Sequence, residues 1–529
     1  MRTPSHRTIA ASWIRPGSRP IAVLALLAWL LSGCVSLPNN DDRVASYAFT
    51  DTGDTLLGRG FADARQQHAG KDGFLLLGNG LDAFTARAAL AEAAERSLDV
   101  QYYLYHDDMV GGLFTAFLWR AAERGVRVRL LVDDMDLAGR DRGVVALDAH
   151  PNIEIRIFNP FDRSFSRLPQ FVTGLGSVTR RMHNKSFIVD NVAAILGGRN
   201  IGDEYFDADP ALAFADLDVI AVGDVVGQVS NAFDRYWNSA SVYAARKIIT
   251  EEISDDQIRQ IQQRLLTFID ENRDSEYMQA LRESDLAQKI RDRSLSFFWG
   301  NADLVVDDPD KITSSRDASE LHLATQLAPH FDALRNELVI VSPYFVPGTE
   351  GVEFFSRLLE RGVRVRILTN SLASNDVAAV HAGYARYRKP LLRAGVELYE
   401  LNKTVSRVQH GGKKGAGGSS KASLHAKTFV LDRREVFIGS LNLDPRSFYE
   451  NTEIGLVIEQ GEIAAGMAAG LEREIERVAF RLELGEDGNL LWHGYEDGAA
   501  VTFDVEPHTG FWQRFGVGLL RLLPIESQL

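Results

Sequence analysis

His183-Asn184-Lys185-Ser186-Phe187-Ile188-Val189-Asp190 opens a stretch that runs on to Gly197-Gly198. His425-Ala426-Lys427-Thr428-Phe429-Val430-Leu431-Asp432 opens another that runs on to Gly439-Ser440. Both read His-x-Lys, with Asp five residues after the lysine and glycine seven after the aspartate. At ordinary residue frequencies even one copy of these four positions is a rare event in a chain of 529 residues, so two copies are no accident. Phe187-Ile188-Val189 reads as a strand, and side chains two apart in a strand share a face, so each histidine points the same way as its lysine. Asp190, followed by Asn191, suits the turn that ends the strand, and Asp432 occupies the same place. These two aspartates complete the motif but belong more to structure than to chemistry.

Outward from the motifs the chain repeats itself. Residues 123–132 read Glu-Arg-Gly-Val-Arg-Val-Arg-Leu-Leu-Val and residues 360–368 read Glu-Arg-Gly-Val-Arg-Val-Arg-Ile-Leu. In each copy an apolar-periodic helix (110–123 and 350–360) ends at Gly125 or Gly362 and a β-branched strand follows. A strand precedes each helix, at 98–104 and 338–345, and a third follows at 153–158 and 396–401. This is βαβ twice over, which predicts an α/β fold of two halves with parallel or mixed sheets covered by helices on both faces. Between the halves, Ile258, Ile261, Leu265 and Ile269 recur at helical spacing. Residues 402–423, with Gly411, Gly412, Gly415, Gly417 and Gly418 beside Lys403, Lys413, Lys414 and Lys421, read either as a surface loop or as a mobile basic lid leading into the second motif.

The balance is acidic, with 58 Lys+Arg against 72 Asp+Glu and a net charge of −14. Such a surface repels phosphate backbones and disfavours broad nucleic-acid binding unless a local basic patch overrides it, and it disfavours electrostatic attachment to anionic lipid. Membrane contact is then left to an anchor or to apolar surface, and the apolar residues among Phe511–Leu523 suit an interfacial segment or a helix packed on the core. The single cysteine, Cys34, excludes an internal disulfide. Arg2, Arg7, Arg15 and Arg19 precede an apolar run from Ile21 to Leu31, then Ser32-Gly33-Cys34, the layout of a secretory signal. The run is too short to span a bilayer, which needs about 20 residues.

The duplicated motif resembles that of the phospholipase D superfamily, and the fold this implies is a duplicated phospholipase D-type fold in which two α/β halves share one active site. The resemblance implies a two-step transfer in which one histidine attacks phosphorus and the other protonates the departing alcohol, with His183 taken as nucleophile and His425 as acid. Lys185, Lys427, Asn200 and Asn442 would stabilise charge on the phosphoryl oxygens, with Gly198 and Ser440 beside them. No cofactor or metal is called for. The family's orienting acidic residues match Asp218, with Asp216 close by, and Glu453. Leu98-Asp99-Val100-Gln101-Tyr102-Tyr103, Gly197–Phe206, Asp307-Asp308-Pro309-Asp310-Lys311 and Leu523-Pro524-Ile525-Glu526 resemble bacterial cardiolipin synthases, most of all the group called cardiolipin synthase C. The ending Leu31-Ser32-Gly33-Cys34 likewise resembles a bacterial lipoprotein signal, which implies acylation of Cys34. Cardiolipin synthases of other groups begin with two membrane-spanning helices, and an acylated Cys34 would take their place.

These readings divide the chain into a signal peptide (1–33), a linker after the lipidated cysteine (34–70), a first half (71–240), a helical insertion (241–310), a second half (311–480) and a C-terminal segment (481–529). The implied activity is phosphatidyl transfer making cardiolipin from phosphatidylglycerol and a second phospholipid, phosphatidylethanolamine among the candidates. Alternatives are hydrolysis to phosphatidic acid, a phosphodiesterase or nuclease, and a scaffold with a dead site. Tyr102, Tyr103, Tyr344 and Phe345 are candidates for apolar walls that hold out water. One chain carries both motifs, so a monomer suffices. The implied location is the bacterial envelope, facing the periplasm, and Val35 after the cysteine favours the outer membrane. Mass spectrometry of the mature N-terminus should find Cys34 carrying a diacylglyceryl group on its sulfur, and an intact peptide across residues 30–40 in the membrane fraction would refute the anchor.

Overall fold

Aliphatic and β-branched runs that are buried on both faces build the centre of each half. The computed structural model describes residues 37–163, 167, 170, 178–209, 212–404 and 421–522. The leader with Cys34, the glycine- and lysine-rich stretch 405–420 and Leu523-Pro524-Ile525-Glu526 lie outside the described residues. Met1–Asn39 and Asn40–Leu529 form separate units, and the architecture below is that of the second.

In the first half the strands are β1 (Asp72–Leu77), β2 (Ser97–Tyr102), β3 (Arg127–Asp133), β4 (Ile153–Phe158), β5 (Ser186–Val189), β6 (Ala193–Gly197), β7 (Leu212–Ala215), β8 (Asp218–Val222) and β9 (Val242–Ala244). Their pairings give the order β1-β8-β6-β5-β2-β3-β4-β9, parallel across β2-β3-β4 and antiparallel elsewhere. The second half has β10 (Phe298–Val306), β11 (Glu337–Val341), β12 (Arg364–Asn370), β13 (Glu397–Leu401), β14 (Lys421–Leu424), β15 (Thr428–Leu431), β16 (Glu435–Gly439), β17 (Ile454–Glu459) and β18 (Ala479–Leu484). It repeats the pattern as β10-β17-β16-β15-β11-β12-β13-β18. β10 joins the halves, because Phe298–Gly300 pair with β1 while Asn301–Val306 pair with β17.

The βαβ reading holds, with helices Met109–Glu123 and Gly348–Glu360 as the crossovers. Gly125 and Gly362 both have positive φ, 93° and 84°, which ends each crossover helix where a side chain would be strained. The described part of the stretch 34–70 is not a free linker. From Asn40 onward it is tied to the first half by Asn40 Nδ2 donating to the Val242 carbonyl at 2.7 Å and Arg129 Nη1 to the Ser46 carbonyl at 2.9 Å, and Leu56–Gln67 is a helix. Nor is 241–310 wholly helical. Helices Asp255–Asn272, Glu276–Arg282 and Asp285–Arg291 lie between β9 and β10, the first started by a capping box of Ser254 and Gln257. The C-terminal segment extends the second sheet with β19 (Leu490–Glu496) and β20 (Ala499–Phe503) before the helix Phe511–Leu520.

Asp190 and Asp432 act as the sequence suggests, as turn residues. Asp190-Asn191 and Asp432-Arg433 have positive φ, between 51° and 54°, at the tips of the β5–β6 and β15–β16 hairpins. The Asp190 carboxylate accepts the amides of Glu95, Arg96 and Ser97 at 2.8–3.0 Å, and the Asp432 carboxylate those of Arg335, Asn336 and Glu337 at 2.7–2.9 Å. Each turn thus grips the chain entering the neighbouring parallel strand. Asp190→Ala should lose about 2–4 kcal/mol in urea unfolding, from the charged hydrogen bonds and the left-handed backbone, and Asp190→Asn should lose less.

Candidate active site

Each histidine follows a short stretch of backbone that is hydrogen-bonded to the opposite half. Met182 makes a parallel bridge with Thr452; His183 N donates to the Thr452 carbonyl at 2.8 Å and Thr452 N to the Arg181 carbonyl at 2.9 Å. On the other side β14 pairs in parallel with β7, and His425 N donates to the Ala215 carbonyl at 2.8 Å. The residue after Thr452 is Glu453 and the residue after Ala215 is Asp216. The clasps therefore deliver a carboxylate to each ring across the divide: Glu453 Oε2 lies 2.8 Å from His183 Nδ1, and Asp216 Oδ2 lies 2.6 Å from His425 Nδ1. All four side chains are buried. With each Nδ1 engaged by a carboxylate, Nε2 is the ring nitrogen that no carboxylate holds.

The expected pairing of Asp218 with a histidine is not the one formed. The β6–β8 register places Asp218 opposite Gly197, as Gly455 stands opposite Gly439 in the second half. Two residues back in each strand come Asp216 and Glu453. Asp218 is instead held by the Arg87 guanidinium at 2.9 Å, with Arg199 Nη1 at 3.5 Å. Gly198 and Ser440, expected at the phosphate, lie against the two carboxylates. A Cβ on Gly198 would sit 2.2 Å from Asp216 Oδ1, so only glycine admits that carboxylate, whereas Ser440 Oγ donates to Glu453 Oε2 at 2.5 Å.

Lys185 Nζ donates to the His183 carbonyl at 2.6 Å; Lys427 Nζ donates to the His425 carbonyl at 2.5 Å and lies 3.1 Å from both nitrogens of that ring. The strand face does place each lysine with its histidine. Asn200 is engaged, its Nδ2 donating to the Tyr205 hydroxyl at 2.9 Å and its Oδ1 accepting Leu104 N at 3.2 Å. Asn442 Oδ1 is buried with no hydrogen-bond partner among the described residues. Of the four candidate wall aromatics, Tyr103 packs edge-on against His183 with ring centres 5.1 Å apart, and Tyr344 donates to Asp376. Tyr102 and Phe345 are core residues, fully buried or nearly so. Tyr205 and Phe214, which the sequence reading passed over, pack on the His425 ring at 5.1 and 5.2 Å.

Burial first, then Lys185, Lys427 and His425, push the His183 imidazolium well below the ordinary histidine range, so the ring is neutral. Burial lifts the Glu453 carboxyl to about 7 against the pull of Lys185 and Ser440. Burial pushes Lys427 down to about 8, opposed by Asp216 and Glu453, and drives Lys185 well below its usual value. Asp216 differs. Burial raises it, but the charge and hydrogen bond of His425, with Lys427 and Arg199, hold it below the usual carboxylate range.

A family described as "Cardiolipin synthase, PLD-like domain" matches residues 87–237 and 330–475, one segment in each half. Cardiolipin synthase C of Escherichia coli (strain K12) is 42% identical over 460 residues, 87% of this chain and 97% of that protein. This chain belongs to the phospholipase D-like cardiolipin synthase family. An uncharacterized protein of Helicobacter pylori (strain ATCC 700392 / 26695) is 30% identical over 510 residues, 95% of this chain and 99% of that one. The crystal structure of phosphatidylserine synthase from Haemophilus influenzae Rd KW20 shares the fold, with a TM-score of 0.52 at 15% identity over 80% of this chain and 91% of that one.

The cardiolipin synthase resemblance also rested on Asp307-Asp308-Pro309-Asp310-Lys311, whose purpose the sequence left blank. Asp307 Oδ2 accepts Glu453 N at 2.7 Å and Lys311 Nζ at 3.0 Å, while Asp307 N donates to the Glu453 carbonyl at 3.0 Å. The motif thus holds the backbone of the residue that orients His183. In the first half Arg199 Nη2 does the matching work on the Asp216 carbonyl at 2.8 Å.

Asp216→Asn should lower kcat about a hundredfold or more while the protein stays folded. Asp218→Asn should instead lower stability by about 3–5 kcal/mol, because it strands the buried Arg87, and leave the turnover of folded enzyme near normal. The pH profile of kcat/KM should be a narrow bell, falling in acid as Glu453 takes a proton near 7 and in alkali as Lys427 loses one near 8. A flat profile between pH 6 and 9 would contradict it.

Proposed function

We propose that this chain transfers phosphatidyl groups between phospholipids and makes cardiolipin from phosphatidylglycerol and a second phospholipid. The single observation that carries the reading is the crossed arrangement of two His–carboxylate pairs, each beside a buried lysine, in a chain 42% identical to a protein named cardiolipin synthase C. In the first step the His183 Nε2 lone pair attacks phosphorus, the bond from phosphorus to the head-group oxygen breaks, and His425 gives that oxygen its proton. In the second, an alcohol of another lipid gives its proton to His425 and attacks phosphorus, and the P–N bond breaks to free His183. The order follows the family resemblance. Burial lowers both imidazoliums, but His425 stands beside a carboxylate held ionised, which favours its protonated form, whereas His183 stands beside a carboxyl lifted to about 7. Lys185 and Lys427 supply the positive field for the phosphoryl oxygens.

Water can resolve the intermediate as well, so transfer needs an alcohol held in place and a site that excludes water. Tyr103, Tyr205 and Phe214 around the histidines supply apolar wall for that purpose. Membrane contact comes from an acylated Cys34 and from the helix Phe511–Leu520. That helix buries Val517 yet leaves Phe511, Trp512, Phe515 and Leu519 between 57% and 77% exposed, the composition of an interfacial face. No helix among the described residues is long and apolar enough to cross a membrane.

Purified enzyme in vesicles containing phosphatidylglycerol should release more cardiolipin than phosphatidic acid, and should do so in excess EDTA. Phosphatidic acid as the main product across mixed-lipid compositions would make the protein a hydrolase. His183→Ala and His425→Ala should each cost several orders of magnitude in turnover. With a substrate carrying a good leaving group, His425→Ala should accumulate phosphoenzyme on His183, and phosphate mapped to His425 would reverse the roles.

A further inference from the structure

A cavity of about 340 Å³ lies beneath the inserted helix Asp255–Asn272, between the helices Met109–Glu123 and Asp141–Asp148. None of the catalytic residues lines it. Its floor is the apolar face of the first sheet, Leu130, Val132 and Ile155, and its roof is Ile261 and Leu265. The cavity is half open to solvent and lined mostly by apolar groups with a few polar ones, the make-up of a small-molecule site. The volume falls in the range of ligand pockets, about 300–1,000 Å³. The fold also leaves it open where a side chain could close it, since a Cβ on Gly143 would meet nothing within 4 Å.

The shape and the distribution of polarity narrow the ligand. Gly111 and Trp119 line the space from one helix, eight residues apart, so it extends roughly 12 Å along that helix. Trp119 stands at one end. At the other, polar groups gather: His106 Nδ1 is 2.8 Å from Asp136 Oδ2, His106 Nε2 is 3.1 Å from Glu204 Oε1, and Arg140 reaches Asp136 at 3.2 Å. Glu204 belongs to the 3-10 turn Asp203–Tyr205, whose Tyr205 ring packs on His425. The polar end therefore adjoins the second layer of the active site, and Trp119 marks the end farther along the helix.

We infer that this cavity takes one acyl chain of a phospholipid whose head group lies toward the catalytic histidines. The substrate class rests on the function proposed above; the cavity, its apolar lining and its polar end do not. Chain length and unsaturation would then be selected by a pocket in the first half, built in part by the inserted helix.

Binding can be read without turnover. The full chain carrying His183→Ala, which leaves lipid unconsumed, is titrated with a dibromo-acyl lysophosphatidylglycerol below its critical micelle concentration while tryptophan fluorescence is followed. Saturable quenching is expected. Adding Trp119→Phe should remove most of it, and adding Gly143→Phe should weaken the apparent affinity at least tenfold, with Gly143→Leu as a milder filling should the larger ring disturb folding. The free dibromo fatty acid should bind at least tenfold more weakly than the lysophospholipid. Quenching that survives Trp119→Phe, or an affinity untouched by both Gly143 substitutions, would overturn the proposal. Equal affinity for the free acid would overturn the phospholipid assignment. Absence of cardiolipin from the wild-type enzyme would count against the proposed reaction and leave this binding result standing.

Discussion

His183 and His425 each take an orienting carboxylate from the opposite half of the chain, and much of the architecture serves that exchange. Burying four ionisable side chains and two lysines is costly unless every charge meets a partner at good geometry. The parallel clasps, Met182 with Thr452 and β14 with β7, meet that need by fixing backbone one residue away from each carboxylate. β10 supports the same arrangement from outside, pairing with both sheets so that the halves share hydrogen bonds as well as side-chain contacts. Neither half holds a complete site alone.

The two halves repeat in backbone more closely than in chemistry. Gly198 and Ser440 are equivalent positions, yet one is vacant to admit Asp216 and the other donates a hydroxyl to Glu453. Arg199 and Asp307 are not equivalent residues at all, yet each fixes the backbone of its orienting acid. The result is one carboxylate held ionised and one lifted to about 7. Duplication supplied two similar frames, and their small differences give the two carboxylates different electrostatic settings.

Electrostatics inside the site run against those of the whole chain. The protein carries −14, whereas the centre gathers two lysines whose charge is disfavoured by burial. An anionic phosphodiester arriving there would supply countercharge and favour the protonated form of both lysines. A local field of that kind selects phosphate without making the surface attractive to polyanions in general.

The duplicated His-x-Lys motif, the βαβ units and the turn role of Asp190 and Asp432 were legible in the sequence, because each depends on spacing within a few residues. Strand periodicity puts His and Lys on one face, and a positive φ at a hairpin tip suits aspartate wherever the hairpin lies. What lay beyond reach depended on contacts between segments hundreds of residues apart. Asp216 and Asp218 differ by two positions in one strand region, and only the pairing of β8 with β6 and of β7 with β14 decides which reaches a histidine. Asp307-Asp308-Pro309-Asp310-Lys311 stood out as a motif but had no visible task until Glu453 was folded against it. Tyr205 and Phe214 carry no sequence mark that separates them from core aromatics, and the cavity beneath the inserted helix exists only because three helices leave a gap. The sequence by itself determined the chemistry-bearing groups and the two frames that hold them. Tertiary structure decided which acid serves which base, because a hydrogen bond of 2.6 or 2.8 Å across the two halves is a property of their docking and of no local stretch.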